Sequence, residues 1–162
     1  GEHVLGYRAA SYSINKTNLW AHDVIENAGY KYSSSIYPVK HDLYGIPDAP
    51  RFPYKVGQNE LLEIPISTVE LLGRRFPCGG GGYFRLFPYG FSRFMINRVN
   101  NLEMQPCIFY FHPWELDIDQ PRQQGLEAKT RIRHYLNITK MQYRLNKLLD
   151  DFSWGRMDKI FL

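Results

Sequence analysis

Cys107-Ile108-Phe109-Tyr110-Phe111-His112-Pro113-Trp114-Glu115 is the stretch on which the reading of this chain turns. Five apolar or aromatic residues in a row predict a strand buried on both faces, as in a parallel sheet. Proline donates no ladder hydrogen bond, so Pro113 ends the strand and leaves His112 at its C-terminal tip. Open α/β sheets and (β/α) barrels keep their chemistry at such tips. An imidazole, an indole and a carboxylate within four residues have the make-up of part of a carbohydrate-handling site. The plainer reading is a strand end whose histidine bonds to a neighbouring loop.

Upstream, the pattern alternates between strand and helix. Residues 3–9 read as a strand that ends in Arg8, Ala9 and Ala10. Thr17 or Asn18 can cap a helix with Leu19, Trp20, Val24, Ile25 and Ala28 as its apolar stripe and His22 exposed beside Asp23. Gly29 closes that helix in the left-handed conformation. Residues 30–37 read as the next strand, stopped by Pro38. A strand–helix–strand order with short connections implies a parallel pair and a right-handed crossover. Residues 38–60 carry four prolines and two glycines and form a long loop of the kind that is usually functional.

Downstream, residues 61–72 read as one or two strands broken by Pro65. The run Gly79-Gly80-Gly81-Gly82 lacks the Lys-Ser/Thr pair of a phosphate loop, so it reads as a turn packed against something large. Residues 88–100 form a helix with Phe91, Phe94, Met95 and Val99 inward. Residues 116–135 are polar. The last helix spans about 140–151, with Thr139 and Gln142 as a capping box and Met141, Leu145, Leu148 and Leu149 inward. Phe152, Trp154, Ile160 and Phe161 dock the C-terminus.

Composition narrows the class. With 162 residues, 44% of them hydrophobic, the chain can bury the core of one domain. No run approaches the ~18 apolar residues that span a bilayer, so no membrane span is expected. The net charge is +4, but the basic residues are dispersed, which speaks against nucleic acid as a partner. Cys78 and Cys107 read as free thiols. Twelve tyrosines and ten phenylalanines are an unusual number; most of them must be core, and a surplus beside a cleft can stack on sugars.

The five histidines form no i,i+4 pair, no His-x-His and no His-Glu-x-x-His, so no metal ligand set is read from this chain. No serine sits in a nucleophile elbow. Arg8 ends its strand as His112 ends its own, so the two tips could meet, and a guanidinium there would orient a carboxylate or an anionic substrate. The alternative for Arg8 is a surface ion pair. Asp42, beside His41, could face His112 or lie in solvated loop. His134, among Arg131, Arg133 and Tyr135, reads as an anion-binding patch or a solvated face.

These residues also resemble a known family. Gly6-Tyr7-Arg8-Ala9-Ala10-Ser11-Tyr12-Ser13-Ile14 resembles the third motif of the polysaccharide deacetylases (carbohydrate esterase family four, the NodB-homology fold), where Arg-x-Pro-aromatic follows a barrel strand. Trp20-Ala21-His22-Asp23-Val24, residues 32–38, 41–53, 79–86 and 109–115, Asp119-Gln120-Pro121-Arg122 and Arg133-His134-Tyr135 resemble the exosortase (PEP-CTERM)-locus branch of the bacterial enzymes. The likeness is to the C-terminal portion of that family.

It implies an α/β fold, the C-terminal part of a distorted (β/α) barrel with a family-specific extension. Residues 1–53 would be barrel strand–helix–strand and loop, and 54–162 the family-specific region including the last barrel strand, 107–112. It implies a hydrolase that removes acetyl groups from N-acetylated sugars of a bacterial exopolysaccharide. A divalent metal such as zinc would activate the water in the intact protein. His112 would be the general acid, Arg8 would orient an aspartate base, Tyr12 and Trp114 would line the substrate pocket, and Asp42 would stand in for the partner of His112. The aspartate pair and the His-x-x-x-His clamp of the first two motifs are absent, so the expected partner is the N-terminal half of the same domain, and these residues alone are expected to be inactive. Ala10 stands where the family has proline. The alternative is a non-catalytic carbohydrate-binding or polysaccharide-assembly module.

Overall fold

In the computed structural model, which describes residues 3–42, 44–58 and 61–162, short strands and helices build a mixed α/β fold around an open sheet. Leu43, Asn59 and Glu60 of the 38–60 loop, like Gly1 and Glu2, lie outside the described residues. Strand β1 (Gly6–Tyr7) pairs parallel with β2 (Tyr32–Ser33), and β2 pairs parallel with β4 (Leu61–Glu63). Strand β3 (Tyr54–Val56), from the end of the Pro-rich loop, pairs antiparallel with β4, giving the order β1-β2-β4-β3. Helix α1 (Ala21–Asn27) supplies the crossover from β1 to β2, and Gly29 takes the left-handed turn behind it at φ 94°. The parallel pair is as expected. The described residues close no barrel.

The helix presents a different face from the predicted one. It begins at Ala21 with no side-chain cap, and Leu19, Trp20 and Val24 are exposed. Ile25 and His22 face inward, so the expected exposed His22 is buried. Its Nε2 lies 3.3 Å from Oε2 of the fully buried Glu63, at ion-pair distance without hydrogen-bond alignment. A buried carboxylate needs donors, and Glu63 finds two of them across the sheet. Oε1 accepts the backbone N–H groups of Ser35 and Ile36, both at 2.8 Å. That polar demand rotates the stripe.

Pro65 separates β4 from β5 (Thr68–Leu71), which pairs antiparallel with β6 (Arg74–Pro77) through a two-residue turn at Leu72 and Gly73. Helices α2 (Gly81–Leu86) and α3 (Tyr89–Asn97) follow, and α3 runs into a π-helical turn over Arg98–Leu102. Met95, Ile96 and Val99 point inward while Phe94 is exposed, contrary to expectation. Helix α4 (Ala128–Tyr135) leads through Asn137, at φ 53°, into α5 (Ile138–Asp151). The Thr139–Gln142 capping box does not form. Asn137 precedes the helix instead, with its Nδ2 donating to the carbonyl of Arg85. Met141, Leu145 and Leu148 are buried with Phe84 and Ile96, but Leu149 is exposed. Helix α6 (Met157–Phe161) packs Met157 and Phe161 against Tyr12, Tyr37, Ile64 and Ile108.

The segment 107–112 is extended but is not a strand buried on both faces. It makes a single parallel bridge, Tyr110 to Gly80, and Phe111 and His112 are exposed. Its backbone is otherwise held by side chains, with Ile108 N–H donating to Ser67 Oγ at 2.7 Å and His112 N–H to Glu115 Oε2 at 3.2 Å. Rings alternating between two separate clusters, rather than two sheet faces, account for the apolar run. Cys78 and Cys107 are free thiols packed together; their hydrogen bond and burial push the Cys78 thiol up.

Candidate functional site

The glycine run is where the chain brings its polar groups together. Tyr110 N–H donates to Gly79 O at 2.8 Å, and Gly81 N–H donates to Tyr110 O at 2.9 Å. A Cβ on Gly79 would lie 2.1 Å from Ile108 O, and one on Gly81 would lie 2.0 Å from Glu115 Oε2. Only glycine permits that approach. The segment is a close-packed turn, as its lack of a phosphate-loop lysine suggested.

Arg85, one turn into α2, is fully buried and uses all five of its N–H donors. Nε and Nη2 donate to Glu115 Oε1 at 3.3 and 3.2 Å. Nη1 donates to the carbonyls of His134 and Leu136, at 3.0 and 2.9 Å, and Nη2 to that of Arg133, at 3.1 Å. The guanidinium also lies 5.2 Å from the Trp114 ring centre. Glu115 is buried as well, and its Oε2 accepts the backbone N–H of His112 at 3.2 Å. One ion pair thus locks three things: the turn that carries His112 and Trp114, the end of α4, and the glycine segment.

On this lock sits a layered set of rings. His112 and Trp114 are nearly parallel, 9° apart with centroids at 6.2 Å, and Trp114 stacks on His134 at 4.3 Å and 11°. Tyr110 stands 6.0 Å from His112 at a steep angle. These residues, with Thr130 and Arg133, line a cleft of about 280 Å³. A second cleft of about 300 Å³ adjoins it through Gly82, Tyr110 and Arg133, and is walled by His41, Tyr44 and Tyr83. Burial and then the nearby Arg85 and Arg122 charges hold the His134 imidazole below its ordinary pKa, with Glu115 opposing them.

Of the expected site residues, Arg8, Tyr12 and His112 lie around the Tyr110 ring. Arg8 donates to Ser34, from Nε to the carbonyl and from Nη2 to Oγ, both at 2.9 Å, and pairs with no carboxylate among the described residues. Its guanidinium lies 5.8 Å from the Tyr110 ring centre. Arg8 and His112 therefore flank one tyrosine. Tyr12 is buried behind that ring, in an edge contact with Tyr110 at 5.2 Å and tilted contacts with Tyr37 and Tyr44. It backs the cleft rather than surfacing in it. Burial drives its phenol well above the ordinary range. Ser11 and Tyr12 both hold positive φ, 54° and 50°, an uncommon pair of left-handed conformations in the turn after Arg8.

Asp42 is exposed, and its hydrogen bond with Lys129, reinforced by Arg133, holds its carboxyl below the usual range. It ties the Pro-rich loop to α4 and touches the cleft through Arg133 alone. Trp114 lines the cleft, with a face stacked on His134. Among the described residues no three His, Cys, Asp or Glu side chains converge to hold a metal ion, so the divalent metal implied by resemblance has no ligand set here. No helix among them is long and apolar enough to cross a membrane.

Arg85, Gln120 and Tyr110 were not singled out in the sequence. Arg85 follows the glycine run by three residues, and the run's lack of side chains was the signal that something bulky would fill the space.

No curated protein and no solved structure matches the chain. A family model described as a domain of unknown function matches residues 34–162, a span that takes in the glycine segment, Arg85, His112, Trp114, Glu115 and His134 but begins after Arg8 and Tyr12. By that match, the chain belongs to the DUF3473 family.

Proposed function

We propose that these residues form one side of a polysaccharide deacetylase site, acting on N-acetylhexosamine units of a bacterial exopolysaccharide. The observation that carries the reading is the cleft in which His112 stands beside Tyr110, with Arg8 against the same ring. Hydrolysis of the acetamide adds water to its carbonyl and expels an amine, and that amine needs a proton as the C–N bond breaks. His112 is exposed, lines the cleft and is fixed through its backbone by Glu115, so it is placed to supply that proton. Arg8 keeps Nη1 without a hydrogen bond to any described residue, which leaves it a donor for a carboxylate. The tyrosines and Trp114 offer a sugar ring apolar walls. The water-activating metal and its ligands would come, on this reading, from the N-terminal half of such a domain, whose motifs these residues lack.

Acetate release from N-acetylglucosamine oligomers tests this, measured with the 162 residues alone and joined to their upstream half. The joined protein is expected to release acetate and the shorter one none. His112→Asn is expected to lower kcat by about 100-fold or more. Full activity of that variant would remove His112 from the reaction. A second reading, a non-catalytic sugar-binding module, is favoured by the two adjoining ring-lined clefts. Binding of the oligomers without acetate release by the joined protein would select it.

A further inference from the structure

In the sequence His134 reads as part of an anion-binding patch or of a solvated face, and neither reading of the function gives it a role. Its geometry is specific. Gln120 Nε2 donates to the carbonyls of Trp114 and Asp117, both at 2.8 Å, which commits both amide hydrogens. Turning the amide over would set its oxygen against two carbonyl oxygens. Gln120 Oε1 is therefore the atom that faces His134 Nε2 at 2.9 Å, and as an acceptor it requires a hydrogen on that nitrogen. A neutral His134 then has an unprotonated Nδ1. That lone pair has no hydrogen-bond partner among the described residues, and the half-buried ring lines the cleft that holds His112. Stacking on Trp114 and the carbonyl bond from Arg85 fix the ring's plane and its place.

We propose that His134 is a substrate-binding residue of this cleft, its Nδ1 accepting a hydrogen bond from a hydroxyl or amide N–H of the sugar, with Gln120 as the positioning residue that sets the tautomer. The inference rests on the sugar reading above and adds what recognises the sugar's donors. The surrounding charges suit the role. Burial first, then Arg85 of α2 and Arg122 of the loop before α4, disfavour a proton on the ring, against Glu115, while Arg133 of its own helix, His112 and Tyr135 are the other charged or titratable neighbours. Protonation at low pH would turn Nδ1 from acceptor to donor, so affinity falls as pH drops through the lowered pKa of His134.

The test is ¹⁵N NMR of the imidazoles at pH 7, with and without an N-acetylglucosamine oligomer. The free protein is expected to show His134 protonated at Nε2 and bare at Nδ1, and the oligomer is expected to shift the Nδ1 resonance. Two variants separate the nitrogens. His134→Asn places an amide where Nδ1 stood, and His134→Gln places one where Nε2 stood and keeps a partner for Gln120. Oligomer affinity should stay within about 3-fold in the first and fall about 10-fold or more in the second. A proton on Nδ1 at pH 7, or undiminished binding by His134→Gln, overturns the proposal. An oligomer that shifts His112 and Trp114 but not Nδ1 overturns the role of His134 and leaves the sugar reading standing. If no cleft resonance responds to any oligomer, the sugar reading falls and takes this inference with it.

Discussion

Glu63 ends β4 with a carboxylate that is fully buried, beside an imidazole 2% exposed. Burial and then Glu63 push the neighbouring Tyr54 phenol up to about 12. Glu63→Ala would strip the acceptor from two buried N–H groups and remove the carboxylate beside the buried His22 Nε2. Removing one partner of such a pair costs about 3–5 kcal/mol, and urea denaturation is expected to show a loss of that size. A loss below about 1 kcal/mol would mean the pair does nothing for the fold. Arg85 is a harder case, because its partners are spread over three segments. Arg85→Met keeps the aliphatic stem but leaves Glu115 buried without a counter-charge. We expect a loss of about 3–5 kcal/mol by the same measurement. The near-UV circular dichroism of Trp114 should collapse with it, because the guanidinium fixes that ring as well as the charge. An unchanged near-UV signal would show that the rings hold themselves in place.

At the scale of elements, the β5–β6 hairpin carries an avoidable strain. Leu72 sits at φ 50° and is fully exposed, followed by Gly73 at φ 70°. Two positive φ values make the turn that matches strand twist, and asparagine or glycine suits its first position far better than leucine. Leu72→Asn removes no packing, so it is expected to stabilise the protein by about 1 kcal/mol, read as a raised Tm. A lowered Tm would mean that the leucine is covered in solution. This turn also shows what sequence can and cannot reveal. Pro65 and Gly29 announced their boundaries because proline and glycine act through their own backbones. The Leu72–Gly73 turn was invisible, because leucine carries no turn signal. Helix α1 was found, but its stripe was misjudged, since His22 turns inward for a carboxylate forty-one positions away. The site divides the same way: His112 and Trp114 were legible from a broken apolar run. Tyr110, Gln120 and Arg85 matter through contacts that only the fold creates.

At the scale of the whole molecule, both ends of the described chain meet the site. Helix α6 returns to lay Met157 and Phe161 against the tyrosine cluster behind the cleft, and Met157 Sδ lies 3.9 Å from Arg8 Nη2. Met157 and Phe161, with Arg8, Cys107 and Ile108, also line a groove of about 380 Å³. The aromatic cluster thus borders the clefts through Tyr44 and Tyr110 and is packed as well by a helix only five residues long. A helix that short does not persist alone, so its order comes from docking. Deleting residues 157–162 should then uncover Tyr32 and Ile108 and cost about 2–4 kcal/mol, the worth of two partly buried side chains. The retained fold should bind an apolar dye that the intact chain does not. The Arg8 guanidinium, held on one side by Ser34 and on the other by the Met157 sulfur, should lose one support and keep the other. If deletion leaves stability and dye binding unchanged, α6 rests on the surface without sealing the cluster, and the tyrosines behind the cleft owe their order to the sheet alone.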